Sequence, residues 1–276
     1  MTVEANDQQP ICACIQMKIY CINLDRHPLR MERMRKCLRG LEFERVPAVD
    51  GKTLHGPEYR DVSRPSGADN ISRYELACVQ SHCVTWSRFL AGGEPYCCVL
   101  EDDVVLSPDF PKFVSDTSWI PSRCDVVKIE TNCEKVMLSR TAFGALGRTL
   151  AELRSLHMGG AAYIVSRRGA EMLLAETSRP GLPPDLVMFD PDFYPRHGQL
   201  LQLIPALCVQ VQHIPGGIVF DELHSSIQPK PVKLPKTLAK RIRLELCRPF
   251  RQLYASAGHL AFQLRVNAQH RVVPYA

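Results

Sequence analysis

The chain has 276 residues, 34 Lys and Arg against 29 Asp and Glu, a formal charge of +5, and 45% hydrophobic residues. This ordinary globular composition is enough for one large α/β domain with a substantial core. No apolar run is long enough to span a bilayer. The twelve cysteines sit mostly inside apolar stretches (Cys21, Cys78, Cys83, Cys97, Cys98, Cys208), without CxxC spacing or a recognisable secretory signal. They therefore read as reduced core residues of a cytosolic protein rather than a disulfide framework.

Residues 1–17 lack periodicity and read as a disordered leader, with Met17 as an alternative start. Residues 18–24 then form an apolar strand that delivers Asn23, Asp25 and Arg26. Residues 29–38 read as a helix closed by Gly40, and 43–46 as a second strand leading to Asp50-Gly51. Residues 54–71 make an irregular loop with Pro and Gly, suited to closing over a ligand. Ser72 with Glu75 is a capping-box signature, and Leu76, Val79, Cys83, Trp86 and Leu90 follow at helical spacing until Gly92-Gly93. Glu75, Ser81 and His82 lie off that stripe, on or beside its flank.

The strand that follows ends in Glu101-Asp102-Asp103, three consecutive carboxylates after an apolar run. Burying them uncompensated would cost several kcal/mol each, about the penalty of an unpaired interior ion, so the turn faces solvent or meets positive charge. Carboxylate oxygens of this kind suit magnesium or manganese, which usually add substrate phosphates to one or two protein ligands. The competing reading is a solvated acidic loop. Further on come a short helix from Pro108, a strand over 125–130, a variable stretch to His157, and a strand over 159–165. Ser166 then caps a helix over 167–176. Strands alternating with helices predict a parallel or mixed sheet covered on both faces. In such a sheet ligands bind beyond the carboxyl ends of the strands. Asn23 to Arg26, Asp50-Gly51 and the acidic turn would converge on that edge.

The segments Glu75 to His82 with Trp86 and Val99 to Val104 resemble the family 25 glycosyltransferases of bacterial lipooligosaccharide synthesis. Ile22-Asn-Leu-Asp-Arg26, Ala48-Val-Asp-Gly51 and Tyr163 to Ala170 are similar to further family signatures in family order, and the likeness covers residues 18–227. Ala77 stands where the family pattern has glycine. The resemblance implies a GT-A-like (Rossmann-like) nucleotide-sugar-binding sheet with helices on both faces. It implies inverting, metal-assisted transfer of a hexose, galactose by the family's habit, from a UDP-sugar to a lipooligosaccharide-type acceptor.

On that reading Asn23, Asp25, Arg26, Asp50, Ser81, Glu101 and Asp102 bind the donor, and Asp103 with Glu101 holds Mn2+ or Mg2+. His213 and His224 are further candidate ligands. Asp185, presented by the proline-rich loop 180–184, is the general base, with Asp190 and Asp192 as runners-up. Two other classes stay open. One is a non-catalytic nucleotide- or glycan-binding protein of the same fold. The other is a different metal-dependent nucleotide enzyme, against which the lack of glycine in residues 24–30 argues.

Charge is uneven along the chain. From Lys230 onward ten Lys and Arg stand against the single acid Glu245, while the rest carries 24 basic and 28 acidic residues. Residues 228–276 therefore form a basic, amphipathic helical tail after a domain over 18–227. Such a helix lies on an anionic membrane surface or packs on the domain with its basic face in solvent. The first reading puts the enzyme on the inner face of the cytoplasmic membrane, beside a lipid-linked acceptor. Nucleic acid is the weaker partner, because no aromatic platform accompanies the charge.

Overall fold

The structure is a computed structural model that describes residues 17–54, 73–177, 188–189, 191, 198–214 and 267–276. Among these, β1 (Lys18–Asn23), β2 (Phe43–Pro47), β3 (Tyr96–Glu101), β5 (Cys124–Lys128), β7 (Lys135–Ala145), β8 (Arg148–Leu153), β9 (Ala162–Ser166), β10 (Gln199–Ile204) and β12 (Ala268–Val272) build one mixed sheet. Its order is β12-β7-β8-β10-β5-β9-β3-β1-β2. The pairs β2–β1, β1–β3 and β5–β10 are parallel, and β9 runs antiparallel between β3 and β5. β1, β2, β3, β5 and β10 thus all point their carboxyl ends to one edge. A second sheet of β4 (Val104–Leu106), β11 (Cys208–Gln210) and β6 (Glu130–Thr131) sits at that edge.

Successive residues of β1 face opposite cores, as a strand buried on both sides requires. Ile19 and Cys21 pack with Met31 and Met34 of α1 (Pro28–Cys37) and with Phe110 and Phe113 of α3 (Phe110–Val114). Tyr20 and Ile22 face the other way, toward Trp86 and Phe89 of α2 (Arg73–Ala91) and Ala170 and Leu173 of α4 (Arg167–Thr177). The sheet is therefore covered by helices on both faces, as expected. α1 carries Pro28 in its first turn, and Gly40 follows its end at φ +86°, a left-handed residue that stops a helix cheaply. The Ser166 hydroxyl accepts from the Gly169 N–H at 3.0 Å and caps α4 as expected.

Three expectations are corrected. The buried face of α2 is rotated from the predicted stripe. Val79 and Trp86 are buried, but Leu76, Cys83 and Leu90 are only half-buried, and Ala77, Ser81, His82, Thr85 and Phe89 take their place. Ser81 and Thr85 tolerate this because each hydroxyl donates to the carbonyl four residues back, at 2.7 and 2.9 Å.

The stretch expected to be variable before His157 holds a long hairpin, β7 and β8. Its turn places Leu146 and Gly147 at φ +49° and +89°. Two adjacent positive φ values match the twist of the flanking strands.

Residues 267–276 are not part of a helical tail. β12 pairs with β7, Tyr275 bridges to Ala206, and an Arg148 N–H donates to the Ala276 carbonyl at 2.8 Å. Residues 267–276 belong to the domain. The leader over 1–16, the loop 55–72 and the proposed membrane helix within 228–266 lie outside the described residues. No described helix is long and apolar enough to cross a membrane.

Candidate active site

The carboxyl ends of β1, β2 and β3 open into a crevice. Asn23, Arg26, Arg30, Gly51, Tyr74, Cys78, Ser81, His82, Glu101, Asp102 and Asp103 are among its lining residues. Gly51 is needed here, since a Cβ would lie 2.7 Å from the Tyr74 ring and 3.0 Å from its Cα.

The three carboxylates of the acidic turn have separate surroundings. Asp102 is fixed and neutralised: Arg30 of α1 pairs with its Oδ1 at 3.0 Å, and Asn23 donates to its Oδ2 at 2.6 Å. Arg33, one helical turn on, donates to the carbonyls of Asp102 and Val104 at 2.9 and 2.7 Å. Glu101 is half-buried, with His82 Nε2 at 3.4 Å and Cys78 Sγ at 3.6 Å from its Oε1. Asp103 is 8% exposed, and among the described residues its carboxylate meets only the Gln210 amide, at 3.3 and 3.4 Å. Burial, then the neighbouring charges of Glu101 and Asp102, push its carboxyl up to about 7.

That excess of negative charge is what a divalent ion offsets, and oxygen is the donor a hard ion prefers. Glu101 and Asp103 therefore fit magnesium or manganese, and Asp102, already paired with Arg30, does not. His213 sits in the turn after β11, away from the crevice lining, and His224 lies outside the described residues.

Other residues expected to bind the donor also make contacts within the protein. Asn23 donates to the His27 carbonyl and accepts from Arg45 as well as meeting Asp102. The Ser81 hydroxyl accepts from the Val49 N–H at 2.9 Å and so ties the loop after β2 to α2. Asp25 is exposed and paired with Arg45, outside the lining. Asp50 pairs with Arg26, whose side chain lines the crevice, and accepts from the Lys52 N–H at 2.8 Å. Asp185, Asp190 and Asp192 lie outside the described residues.

Sequence reading missed a buried clamp behind the turn. Lys128 and Glu130, both fully buried, pair at 3.2 Å. Lys128 also bonds the Gly159 carbonyl, and Glu130 accepts from the Ala161 N–H at 2.9 Å. The Ala161 carbonyl in turn accepts from the Glu101 N–H at 2.7 Å. Gly159, at φ +96°, sits so close that a Cβ would lie 2.7 Å from Glu130 Oε1. The alternating Lys-x-Glu pattern at the end of β5 was the available signal.

Arg30 and Arg33 were also missed, because a helix reading Arg-Met-Glu-Arg looks like a solvated face. Arg30→Met should destabilise the fold by about 3–5 kcal/mol, since it leaves Asp102 buried without its cation. Adding Asp102→Asn should recover part of that loss. Thermal unfolding checks this, and a single variant that melts like the wild type would deny the pair its role.

A family model described as glycosyltransferase family 25 (LPS biosynthesis protein) matches residues 16–188. The lacto-N-neotetraose biosynthesis glycosyltransferase LgtB of Neisseria meningitidis serogroup B is 39% identical over 154 residues, 52% of this chain and 56% of that protein. LgtE of Neisseria gonorrhoeae is 34% identical over 189 residues, 63% and 66% of the two chains. The lipooligosaccharide biosynthesis protein lic2B of Haemophilus influenzae is 28% identical over 186 residues, 62% and 66%. The chain thus spans between about half and two thirds of these relatives. A solved glycosyltransferase involved in glycosylation of the major capsid of PBCV-1 aligns with 71% of this chain and 93% of its own at a TM-score of 0.39 and 10% identity, too remote to add to the assignment. The match runs from β1 through α2 and the acidic turn to α4 and beyond, over more than half of the sequence, and the chain belongs to glycosyltransferase family 25.

Proposed function

We propose that this protein transfers a hexose, galactose by the pattern of its family, from a UDP-sugar to a hydroxyl of a lipooligosaccharide-type acceptor, with inversion and with the help of Mn2+ or Mg2+. The observation that carries this reading is the crevice where β1, β2 and β3 end. It gathers Arg26 and Arg30 with the carboxylates Glu101 and Asp103, the latter raised by burial and by its acidic neighbours. Mixed charge of this kind suits a sugar diphosphate bound as its metal complex. The names of LgtB, LgtE and lic2B point to the same acceptor class.

Glu101 and Asp103 would hold the ion, which supplies Lewis-acid neutralisation of the charge that grows on the departing diphosphate. The protein's own groups do the rest. Arg26, steadied by Asp50, is placed to meet phosphate oxygens. Arg30 and Asn23 keep Asp102 neutralised, so the turn does not repel the donor more than the ion offsets. The wall of α2 closes one side of the crevice, with His82 and Trp86 both held on the Tyr163 hydroxyl at 2.9 and 2.8 Å. Asp185 takes the acceptor's proton.

Calorimetric titration tests the donor reading. UDP should bind one to one in manganese, and at least tenfold more weakly after chelation of the metal. Equal affinity with and without metal would contradict a role for an ion held by Asp103 in donor binding.

A further inference from the structure

The acidic turn meets α2 in a group that the hard-ion reading leaves unexplained. Cys78 and His82 lie four residues apart on one face of α2, and the strand-end Glu101 faces both. One donor atom from each residue lies within 4.8 Å of the others. We propose that Cys78, His82 and Glu101 form a separate site for a thiophilic divalent ion of the zinc class, which competes for Glu101 with the hard ion of the donor complex.

Two of the three separations match that chemistry, and the Cys78–His82 pair lies within 4.8 Å. A tetrahedral ion with bonds of about 2.3 Å to sulfur and about 2.1 Å to nitrogen and oxygen separates its sulfur and oxygen ligands by about 3.6 Å and its nitrogen and oxygen ligands by about 3.4 Å. Cys78 Sγ is 3.6 Å from Glu101 Oε1, and His82 Nε2 is 3.4 Å from the same atom. Hydrogen bonds alone would allow these separations too, so the surrounding groups matter. His82 Nδ1 lies 2.9 Å from the buried Tyr163 hydroxyl, which already accepts from the Trp86 indole N–H at 2.8 Å. That contact fixes the ring with Nε2 facing Glu101, and the tautomer with its proton on Nδ1 is the one a metal ion takes up. This is the outer-shell support typical of a metal-bound histidine.

Three protein ligands leave a fourth position. All three residues line the crevice, so that position opens toward the donor and an ion has a path in. Soft sulfur with imidazole selects zinc, cobalt or copper over magnesium or manganese, whose preferred ligands are the oxygens of Glu101 and Asp103. Binding would displace the Cys78 thiol proton to solvent, giving a thiolate–metal bond and one released proton. With Glu101 taken up, the hard ion would lose one of its two carboxylates. A zinc-class ion would therefore suppress metal-dependent UDP binding without touching Asp103.

Cobalt(II) is the probe, because its spectrum reports both geometry and sulfur ligation. One equivalent added to the full-length protein should give the visible bands of four-coordinate cobalt and a sulfur-to-cobalt charge-transfer band. Zinc should displace both signals. Cys78→Ser should abolish the charge-transfer band and weaken zinc by more than the ten- to hundredfold that losing an outer-shell partner brings, with an unchanged far-UV circular dichroism spectrum. Should Cys78→Ser fold poorly, alkylation of Cys78 in the wild-type protein, followed by mass spectrometry, gives a second reading, and zinc should slow it. A wild-type cobalt spectrum without four-coordinate bands overturns the proposal. So does a charge-transfer band that survives in Cys78→Ser, or alkylation of Cys78 at the same rate with and without zinc.

Discussion

Asp103→Asn should abolish transfer, by on the order of a thousandfold or more, while leaving the protein as stable as the wild type or more stable. The size follows from the charge removed: a preorganised group that stabilises charge growing in the transition state is commonly worth about two to three powers of ten, and Asp103 is proposed to hold the ion that does so. The sign of the stability change follows from the surroundings. Asp103 is buried beside Glu101 and Asp102, and its carboxyl is pushed up to about 7 because ionising it there is unfavourable. Asparagine has the same shape, keeps the Gln210 contact and removes the repulsion. A residue with a merely structural role would show the opposite pattern, with stability and activity falling together. Steady-state turnover in saturating manganese, read beside thermal unfolding, separates the two. Unchanged turnover would remove Asp103 from the ion site.

The second large effect belongs to Asp185. Loss of a general base commonly lowers the rate by about two to four powers of ten, and Asp185→Asn should do so in kcat while UDP affinity stays near the wild-type value. One observation favours this carboxylate over its neighbours. The family match ends at residue 188, so it includes Asp185 and stops before Asp190 and Asp192. Just downstream, Met188 and Phe189 are buried, with the Phe189 ring edge-on to Tyr163 at 5.9 Å between centroids and 3.9 Å from Lys128 Nζ. Tyr163 is the residue that bonds His82 in the crevice wall. If Asp190→Asn or Asp192→Asn gives the selective loss of kcat and Asp185→Asn does not, the base is one of those.

The sequence made some parts of this arrangement readable because a single local signal sufficed. The apolar run into Glu101, the glycine after α1 and the Ser166 cap each carry their own physics, and the structure places all three as expected. The convergence of β1, β2 and β3 on one edge was readable from strand–helix alternation. The division of labour among Asn23, Ser81, Asp102 and Asp103 was not, because it depends on partners far away in sequence. Arg30 reaches Asp102 across 72 residues, Gln210 reaches Asp103 across 107, and neither contact leaves a periodic trace. The buried face of α2 was misread for a related reason. Hydrophobic periodicity ranks Ser81, His82 and Thr85 as polar, yet each becomes buriable once a backbone carbonyl or the Tyr163 hydroxyl satisfies it. The β7–β8 hairpin turns through Leu146-Gly147 rather than Asn-Gly, so its turn signal is weak. β12 is set apart only by its pairing with β7, which lies more than 120 residues earlier.

The central claim is sugar transfer from a UDP-sugar, and release of UDP by the purified protein tests it most directly. UDP-galactose, UDP-glucose and their N-acetyl counterparts would be compared with and without manganese, each with an oligosaccharide acceptor ending in a free sugar hydroxyl. The account predicts manganese-dependent UDP release from one of these donors, accelerated by acceptor and matched by a product one hexose heavier. UDP binding with no release from any donor, in the presence of metal and acceptor, would contradict it and leave a binding protein built on a transferase fold.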